Sequence, residues 1–307
     1  MPGIDLSIVI VNFNTKDYTV QCIESIQKNP PSVTYEVILV DNASSDGSVG
    51  FLAAKFPGIA IIQSEVNVGI AGGNNLGIKA ASGRFILLLN NDTIVIPGSI
   101  DRTVEFLESH PDAGGVGGNL VNPDGSFQSG YYNFPTLGRL FLITTKIGQM
   151  LHDYYPSNPR AGSIIEVDWM STAFMTFRRE ALFGIGLVDE QYFIYSDESD
   201  LQLRMRKAGW KIYYLPDLET VHFGGRSLNP WRRRRLVYRG YLLFFTRHLG
   251  AFQAMLVRMM FAIICLLKLP FWMFNYLMPA RRNLAGEELR SNWSIIRMCL
   301  KPGIEPV

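Results

Sequence analysis

The stretch Gly83-Arg-Phe-Ile-Leu-Leu-Leu-Asn-Asn-Asp-Thr93 decides the fold, because an unbroken apolar strand runs directly into two amides and a carboxylate. A strand without polar alternation is typical of a parallel sheet that is buried on both faces. Ligands of such sheets bind at the carboxyl ends of the strands. Asn90, Asn91 and Asp92 therefore fall where a divalent cation and a phosphorylated ligand would be held. An ordinary polar turn at a strand end is the competing interpretation.

Two more buried strands end in polar residues. They cover residues 6–14, which end in Val11-Asn-Phe-Asn14, and residues 35–46, which contain Val40-Asp-Asn-Ala-Ser-Ser-Asp46. Helix-length segments separate the strands, at residues 17–28, 48–56 and 71–81. Alternation of strand and helix predicts an α/β fold with a parallel sheet and crossover helices.

An ordered series of motifs resembles the inverting GT-A glycosyltransferases of family 2, in particular their rhamnosyltransferase-like branch. The motifs are Val9-Ile-Val-Asn-Phe-Asn14, Val40-Asp-Asn-Ala-Ser-Ser-Asp-Gly47, Asn67-Val-Gly-Ile-Ala-Gly-Gly-Asn-Asn75, Leu89-Asn-Asn-Asp-Thr93, Val188-Asp-Glu-Gln-Tyr-Phe193, Asp197-Glu-Ser-Asp-Leu201, Arg204-Met-Arg-Lys-Ala-Gly209 and His222. The resemblance covers residues 4–226. It implies the nucleotide-diphospho-sugar transferase (GT-A) fold, with a central, mainly parallel sheet. It also implies inverting transfer of a rhamnose-like or other hexose from a dTDP- or UDP-sugar to a polysaccharide or lipid-linked glycan.

The resemblance also implies the residues that bind the nucleotide sugar. Asp41 would accept the ring N–H of uracil or thymine, although a turn or helix cap would use the same carboxylate. The glycines of residues 67–75 would let the backbone approach the ligand just before a helix whose N-terminus favours negative charge. The full predicted set is Asn12, Asn14, Asp41, Asn67, Gly69, Asn74, Asn90 and Asn91.

Asp92 is the best candidate for a metal ligand. One carboxylate, with diphosphate oxygens and waters, can hold Mg²⁺ or Mn²⁺. Most GT-A enzymes carry two acids in this motif, whereas here Asn90 takes the first place. His222 matches a family histidine that completes the metal site, and a structural histidine is the alternative.

Three acids in four residues, Asp197, Glu198 and Asp200, open a predicted helix whose dipole favours them. Crowding of carboxylates raises the pKa of at least one, which suits a general base. Family members usually have Glu-Asp at the first two positions, so by position we expect Glu198 to be the base, with Asp197 second. Asp200 is expected to orient Arg204, one turn along the helix.

The middle of the chain carries weaker signals. We expect a helix at residues 97–110, a strand at 114–121 and a turn at 122–125. Residues 131–162 lack periodicity and suggest a long loop with at most one helix. Strands are predicted at 166–177 and 211–215. In the first of them Trp169 would stack on the acceptor or else belong to the core.

The C-terminal residues are more basic and more apolar than the predicted catalytic domain. Residues 1–226 form the predicted catalytic domain, and residues 227–307 a basic, amphipathic helical extension. Residues 255–278 are apolar and long enough to span a bilayer, but Arg247, Arg258 and Lys268 form a narrow stripe that favours a helix lying on the membrane surface. A helix packed on the domain or in a homo-oligomer interface is the alternative. Arg232–Arg235 would contact anionic lipid or diphosphate, or form a solvated face.

The cysteine content indicates the cellular compartment in which the protein works. Cys22, Cys265 and Cys299 show no pairing or metal-ligand spacing, which indicates a reducing environment. The N-terminus lacks the layout of a signal peptide, and no nucleic-acid motif accompanies the arginines. We therefore expect a peripheral protein on the cytoplasmic face of the cell membrane. A nucleotidyltransferase and a catalytically inactive membrane-bound partner remain as alternatives.

Overall fold

The computed structural model describes residues 3–145, 163–224 and 230–301. The chain divides into two compact units. The first comprises Met1–Phe134, Pro156–Phe193 and Asp197–Gly225, and the second comprises Pro135–Tyr155, Ile194–Ser196 and Arg226–Val307. The first unit contains the sheet, and the second is helical where it is described.

The elements of the described residues follow one another along the chain as a series of strands and helices. They are β1 (Leu6–Asn12), α1 (Lys16–Lys28), β2 (Tyr35–Asp41), α2 (Ser48–Lys55), β3 (Ala60–Gln63), α3 (Gly69–Ala80), β4 (Phe85–Asn90), β5 (Thr93–Val95), α4 (Ser99–Ser109), β6 (Ala113–Val121), β7 (Phe127–Gln128), β8 (Tyr131–Tyr132), α5 (Leu137–Thr145), β9 (Ile165–Glu166), β10 (Trp169–Met170), β11 (Phe174–Arg178), α6 (Arg179–Gly184), α7 (Asp197–Lys207), β12 (Lys211–His222), α8 (Pro230–His248), α9 (Gly250–Tyr276) and α10 (Arg282–Leu300). Short 3₁₀ helices cover Glu190–Tyr192 and Pro279–Arg281.

The main sheet has the strand order β3-β2-β1-β4-β11-β6-β12-β5. Strands β1 to β4 are parallel, and β11 runs antiparallel to both of its neighbours. The register sets Asn12 opposite Asp41 and Val11 opposite Asn90. The predicted α/β fold with a mainly parallel sheet is confirmed, and the polar ends of β1, β2 and β4 meet at one edge.

The core lies on both faces of this sheet. Side chains alternate along a strand, so Leu6, Ile8 and Ile10 of β1 belong to one buried cluster, while Val9 and Val11 belong to the other. Helices cover both faces, which explains why Phe85–Leu89 of β4 are all apolar and buried.

Strand β6 has the sequence Ala-Gly-Gly-Val-Gly-Gly-Asn-Leu-Val and is buried throughout. A Cβ atom on Gly117 would lie 2.6 Å from Cε of Met170, and one on Gly114 would lie 2.7 Å from Cβ of Trp210. Neighbouring side chains therefore fill the space that side chains on β6 would need.

The predicted strand at residues 166–177 is divided into β9, β10 and β11. The hydrogen bonds of one continuous strand are replaced by bonds to an earlier loop. The Asp168 carboxylate accepts the N–H of Phe134 at 2.9 Å, and the N–H of Ser171 donates to the carbonyl of Gly130 at 2.7 Å. The other expectations agree with α4, β6 and the start of β12, which continues to His222. Within the predicted loop at 131–162, β8 and α5 are formed, and residues 146–162 lie outside the described part.

In the second unit, α9 is long and apolar enough to cross a membrane, and 22% of its most apolar stretch is buried. Phe252, Leu267 and Leu277 on or next to α9 are each about 70% exposed, at 68%, 75% and 73%. Arg258, predicted to form part of a basic stripe, instead donates to the carbonyls that end α10, including that of Lys301 at 2.8 Å.

The packing of α3 generates a prediction about stability. A Cβ atom on Gly77 would overlap Cγ1 of Val9 and lie 3.3 Å from Cγ2 of Val40, so Gly77→Ala should lower the free energy of unfolding by about 1–3 kcal/mol. Gly50→Ala in α2 is the matched control, because nothing lies within 4 Å of its new methyl group. Helix propensity alone would make both changes stabilising. Urea denaturation distinguishes the two results, and equal effects would contradict the packing.

Candidate active site

The edge where β1 and β2 end is organised around Asn12, which is fully buried. Its carboxamide nitrogen donates to Oδ1 of Asp41 at 2.8 Å and to Oγ of Ser48 at 2.9 Å, and its oxygen accepts the Thr19 hydroxyl at 2.8 Å. Asn91 donates to the same Thr19 hydroxyl, also at 2.8 Å. Asn12 therefore fixes the tip of β2 from behind and links it to the end of β4.

Asp41 is 3% exposed, and its second oxygen accepts the N–H of Ser44 at 2.9 Å. Its carboxylate thus makes the turn contact that the competing interpretation named. Asn14 is exposed with φ of 52°, and its side chain accepts the N–H of Ser45 at 2.7 Å. Both residues border the same surface at the strand edge, and their contact with a nucleotide remains a prediction.

The glycine-rich segment is held by two amides. Asn67 accepts the N–H of Gly69 at 2.9 Å, while Asn42 accepts the N–H of Val68 at 2.9 Å and donates to the carbonyl of Gly69 at 3.0 Å. Gly69 has φ of +76°, and a side chain there would overlap the carbonyl of Phe193. Only glycine fits this close approach.

The start of α3 is occupied within the protein. The first helical amides, of Ile70 and Ala71, donate to the carbonyl of Phe193 at 2.6 and 3.4 Å. This end of the helix therefore holds the chain that leads to the acid pair. Asn74, further along α3, is 6% exposed, and its side chain makes no hydrogen bond within residues 3–145, 163–224 and 230–301. Its carboxamide is available to a ligand.

Asn90, Asp92 and His222 come together where β4 and β12 end. Nε2 of His222 lies 3.3 Å from Oδ1 of Asp92 and 3.4 Å from Nδ2 of Asn90. Nδ1 lies 2.6 Å from Oε1 of Gln128, and Gln128 is oriented because its own nitrogen donates to Asn122 at 3.1 Å. Nδ1 therefore donates a hydrogen bond to Gln128, and Nε2 is the ring nitrogen that faces the carboxylate.

This donor set fits a divalent cation. The Nε2 lone pair and a carboxylate oxygen attract each other only if a proton or a cation lies with them. One carboxylate and one imidazole leave the remaining positions of Mg²⁺ or Mn²⁺ to phosphate oxygens and water. Within the described residues there is no cluster of three or more His, Cys, Asp or Glu side chains. The phosphates of a ligand would therefore have to complete the site.

The acid pair lies beside this edge. The N–H of Asn90 donates to the carbonyl of Ala173 at 2.9 Å, and the backbone N–H of the preceding residue, Thr172, lies on the side of the Glu198 carboxylate, where it favours the charged form. Burial raises the pKa of Glu198 to about 8, the neighbouring charge of Asp197 adds to the rise, and the Thr172 N–H opposes it. A carboxyl with this pKa exchanges protons near neutral pH, as a general base must.

Trp169 is half-buried on β10 and stacks on Tyr132 of β8, with ring centroids 4.5 Å apart and planes 26° apart. Its indole N–H donates to the carbonyl of Asn133 at 3.0 Å. The ring stacking and the indole hydrogen bond fix Trp169 in place while leaving part of its surface to solvent.

The expected ion pair of Asp200 and Arg204 is formed, with a distance of 2.8 Å between Nη2 of Arg204 and Oδ2 of Asp200.

Sequence reasoning missed Gln128, Asn42 and Gln202. The Gln202 carboxamide accepts the N–H of Met170 at 2.8 Å and donates to its carbonyl at 2.7 Å. Asn42 stands directly after Asp41, which was a usable signal, because the loop after a strand end must satisfy its amides. Gln128 lies in a turn region and reaches His222 only through the pairing of β6 with β7 and β12. No local pattern indicated it.

Solved structures show the same fold. The chain is similar to the mannosyltransferase PcManGT from Pyrobaculum calidifontis, solved with GDP-Man and Mn²⁺, with a TM-score of 0.58 at 14% identity, over 96% of this chain and 86% of that one. It is also similar to residues 1–349 of TarS from S. aureus, with a TM-score of 0.53 at 13% identity, over 96% and 90% of the two chains. The predicted GT-A fold is thereby confirmed.

Two curated relatives are named for rhamnosyl transfer. An N-acetylglucosaminyl-diphospho-decaprenol L-rhamnosyltransferase of Mycobacterium tuberculosis is 28% identical over 211 residues, 62% of this chain and 67% of the relative. Rhamnosyltransferase WbbL of Escherichia coli is 24% identical over 225 residues, 70% of this chain and 82% of the relative. The family model for glycosyl transferase family 2 matches residues 7–182, more than half of the chain. On this match, the chain belongs to glycosyl transferase family 2, as a rhamnosyltransferase-like member.

Proposed function

We propose that this protein is an inverting hexosyltransferase. It would move a rhamnose-like or other sugar from a dTDP- or UDP-sugar to a polysaccharide or lipid-linked glycan. The observation that carries the proposal is the meeting of Asn90, Asp92 and His222 where β4 and β12 end, while the backbone of residues 172–173, which is bonded to Asn90, also borders the Glu198 carboxyl, whose pKa is raised. The names of the two bacterial relatives support the substrate class.

The nucleotide half of the donor would lie along the edge formed by β1, β2 and the start of α3. Asp41 would accept the ring N–H of the base, and the free carboxamide of Asn74 would bind the donor directly. The other proposed donor residues, in direct contact or behind it, are Asn12, Asn14, Asn67, Gly69, Asn90 and Asn91.

Asp92 and His222 would hold Mg²⁺ or Mn²⁺. When bound, the cation stabilises the negative charge that develops on the departing nucleotide diphosphate. Gln128 keeps the Nε2 lone pair of His222 available for this purpose, and Asn122 keeps Gln128 in orientation. Second-shell partners of this kind are needed for metal affinity.

Glu198 would take the proton of the acceptor hydroxyl as that oxygen attacks the anomeric carbon of the donor. Attack from the side opposite the leaving diphosphate inverts the configuration. Trp169 would stack on a sugar ring of the acceptor. Asp197, 3% exposed beside Glu198, would act through its charge on the pKa of the base.

One assay separates this function from its alternatives. A panel of dTDP- and UDP-sugars is incubated with Mg²⁺ or Mn²⁺, with and without polyprenyl-diphosphate glycans, and nucleoside diphosphate release is measured. Parallel incubations contain dTTP or UTP with sugar 1-phosphates, and pyrophosphate release is measured. A hexosyltransferase releases it together with a glycosylated acceptor. A nucleotidyltransferase instead forms pyrophosphate from nucleoside triphosphate and sugar phosphate. An inactive partner does neither, and either of the last two outcomes would overturn the proposal.

Asp92→Ala should abolish transfer and remove the metal-dependent part of donor binding, because Asp92 is the only carboxylate in the strand-end triplet. Mn²⁺-dependent donor affinity by calorimetry is the readout besides activity. Asp217→Ala is the control, since Asp217 is exposed and its ion pair with Arg102 is 3.4 Å long. Full transfer in EDTA by the wild type would contradict the metal assignment.

The acid pair predicts the pH dependence of transfer. The pKa of Glu198 is raised to about 8 in the folded protein, so the active, deprotonated form grows as the pH rises towards that value. On the acidic side of the pH profile, kcat/KM should rise with the deprotonated fraction of Glu198. Asp197→Asn should move this rise to lower pH, because it removes the adjacent negative charge.

Glu198→Gln should keep donor affinity and lower turnover by on the order of 100-fold.

Two results would count against this assignment. A larger loss of turnover in Asp197→Asn than in Glu198→Gln would make Asp197 the base. An acidic limb that stays in place when the charge of Asp197 is removed would mean that another group titrates.

We further propose that the second unit binds an anionic membrane surface on the cytoplasmic side. Residues 227–307 contain thirteen basic and three acidic residues, and large apolar side chains of α9 face solvent. The basic side chains are not equivalent. Arg234 forms a two-pronged ion pair with Glu288 at 2.5 and 2.7 Å, whereas Arg232 and Arg233 are exposed. The exposed pair is therefore better suited to lipid phosphates.

Arg232→Gln with Arg233→Gln should weaken binding to phosphatidylglycerol vesicles by about 1 kcal/mol per residue, and raised salt should have a similar effect. Leu267→Gln should weaken binding to neutral vesicles as well, because it removes apolar area. Lys28→Gln in α1 is a single-charge control, and its effect is compared with the effect per residue of the double change. Liposome flotation measures all three. If the wild type ignores vesicles and forms a tight dimer that Leu267→Gln disrupts, the face is an oligomer interface.

A further inference from the structure

One face of helix α1 contacts the residues that follow β4. Positions i, i+3, i+4 and i+7 of a helix share a face. Counted from the N-cap, these positions are Thr15, Tyr18, Thr19 and Cys22. The Asn91 carboxamide donates to both threonine hydroxyls, at 2.6 and 2.8 Å, and Sγ of Cys22 lies 3.6 Å from Oγ1 of Thr93. The residues before and after Asp92 are therefore both held on α1.

Tyr18, the remaining member of this face, contacts a different strand. Its half-buried ring packs against the ring of Phe223, with centroids 5.3 Å apart and planes tilted by 56°. Phe223 directly follows His222 in the sequence. Its N–H donates to the carbonyl of Asp92 at 2.9 Å. The same face of α1 thus contacts the chain next to each of the two proposed metal ligands.

The end of β12, which carries His222, lies at the margin of the sheet. The pairing of β12 with β6 ends at Val221, one residue before His222. At His222 the pairing is with Thr93 of β5, a three-residue strand at the edge of the sheet. The ends of strands open more easily than their centres. A contact that holds Phe223 from α1 therefore stabilises the part of β12 that is most easily displaced.

We propose that Tyr18 is a positioning residue for the metal site, which holds Phe223 so that Nε2 of His222 stays 3.3 Å from Oδ1 of Asp92. This proposal rests on the proposed function for the roles of Asp92 and His222. The ring of Tyr18 acts on Phe223, and the effect passes to His222 through the backbone. Replacing a residue that orients a metal ligand typically changes metal affinity by about 10- to 100-fold.

The test is the affinity for Mn²⁺, measured by electron paramagnetic resonance in the presence of saturating UDP or dTDP. Tyr18→Ala removes the ring and does not weaken the helix, because alanine has the highest helix propensity. We expect its Mn²⁺ affinity to fall about tenfold, the lower end of the range, since Tyr18 acts through a neighbour of the ligand. Tyr18→Phe keeps the ring and should bind Mn²⁺ like the wild type. In EDTA both variants should bind the nucleotide like the wild type.

Tyr213→Ala is the matched control, because Tyr213 lies at the other end of the same strand. Its half-buried ring packs against Phe106 of α4, with centroids 5.2 Å apart and planes at 61°, nearly the geometry of the Tyr18 pair. Its hydroxyl also donates to Asp112 at 3.2 Å, so its loss should cost at least as much stability. A general loss of stability predicts similar Mn²⁺ affinities in the two alanine variants. The positioning role predicts weaker Mn²⁺ binding in Tyr18→Ala alone.

Hydrogen exchange at the N–H of Phe223 gives a readout that needs no metal. We expect faster exchange in Tyr18→Ala, because the bond to the Asp92 carbonyl opens more often once the strand end is loosened. If Tyr18→Ala does not fold, Phe223→Ala replaces it in the Mn²⁺ titration, since it removes the other ring of the pair.

Three results overturn the positioning role. They are wild-type Mn²⁺ affinity in Tyr18→Ala, an equal loss in Tyr213→Ala, and an equal loss in Tyr18→Phe, which would mean that the hydroxyl acts on the ligand. Weaker nucleotide binding by Tyr18→Ala in EDTA also overturns it, because Tyr18 would then contact the nucleotide. A wild type that binds no Mn²⁺ with either nucleotide overturns the metal site itself. A wild type that binds Mn²⁺ but transfers no sugar overturns the proposed function alone.

Discussion

The polar edge of the sheet depends on the need to satisfy the carboxamide of Asn12 in a dry interior. A buried amide without partners costs several kcal/mol, so every group around it must be in place before the strand ends can close. Asp41, Ser48 and Thr19 supply those partners from β2, α2 and α1. The hydrogen bonds that satisfy the Asn12 carboxamide thus also align the ends of β1 and β2, which form the polar edge of the sheet.

The sequence predicted the parts that repeat locally. Apolar strands that end in Asn or Asp, with helices between them, predicted the parallel half of the sheet. Asp92 was a candidate because it is the carboxylate at the end of β4, whereas His222 and Glu198 were candidates through the family resemblance. The broken strand at 166–177 could not be foreseen, because Asp168 and Ser171 find their partners about 35 to 40 residues earlier in the chain. Gln128 and Gln202 were missed for the same reason: glutamine has no characteristic pattern, and its function is decided by what the fold sets opposite it.

Glu198 is subject to two opposing influences. Burial and the charge of Asp197 favour its neutral form, and the backbone of Thr172 favours its charged form. A base needs both, because a fully solvated carboxylate is too weak and a fully buried one does not ionise. Arginines in the second unit also differ in exposure: Arg234 is half-buried in an ion pair with Glu288, whereas Arg232 and Arg233 are exposed over the rings of Trp231 and Tyr195. Side-chain contacts, rather than charge counts, decide which groups can act on a partner.

The glycines of β6 bear on how this protein tolerates change over evolution. Gly114, Gly115 and Gly117 are each within 2.7 Å of a neighbouring side chain once a methyl group is added, so the strand offers almost no neutral substitutions. Because Met170 fills the space at Gly117, a larger side chain at that position of β6 would displace Met170 of β10. Variation at the half-buried rings of β8 and β10 is therefore less constrained than variation at Gly117 of β6, which would change only together with Met170.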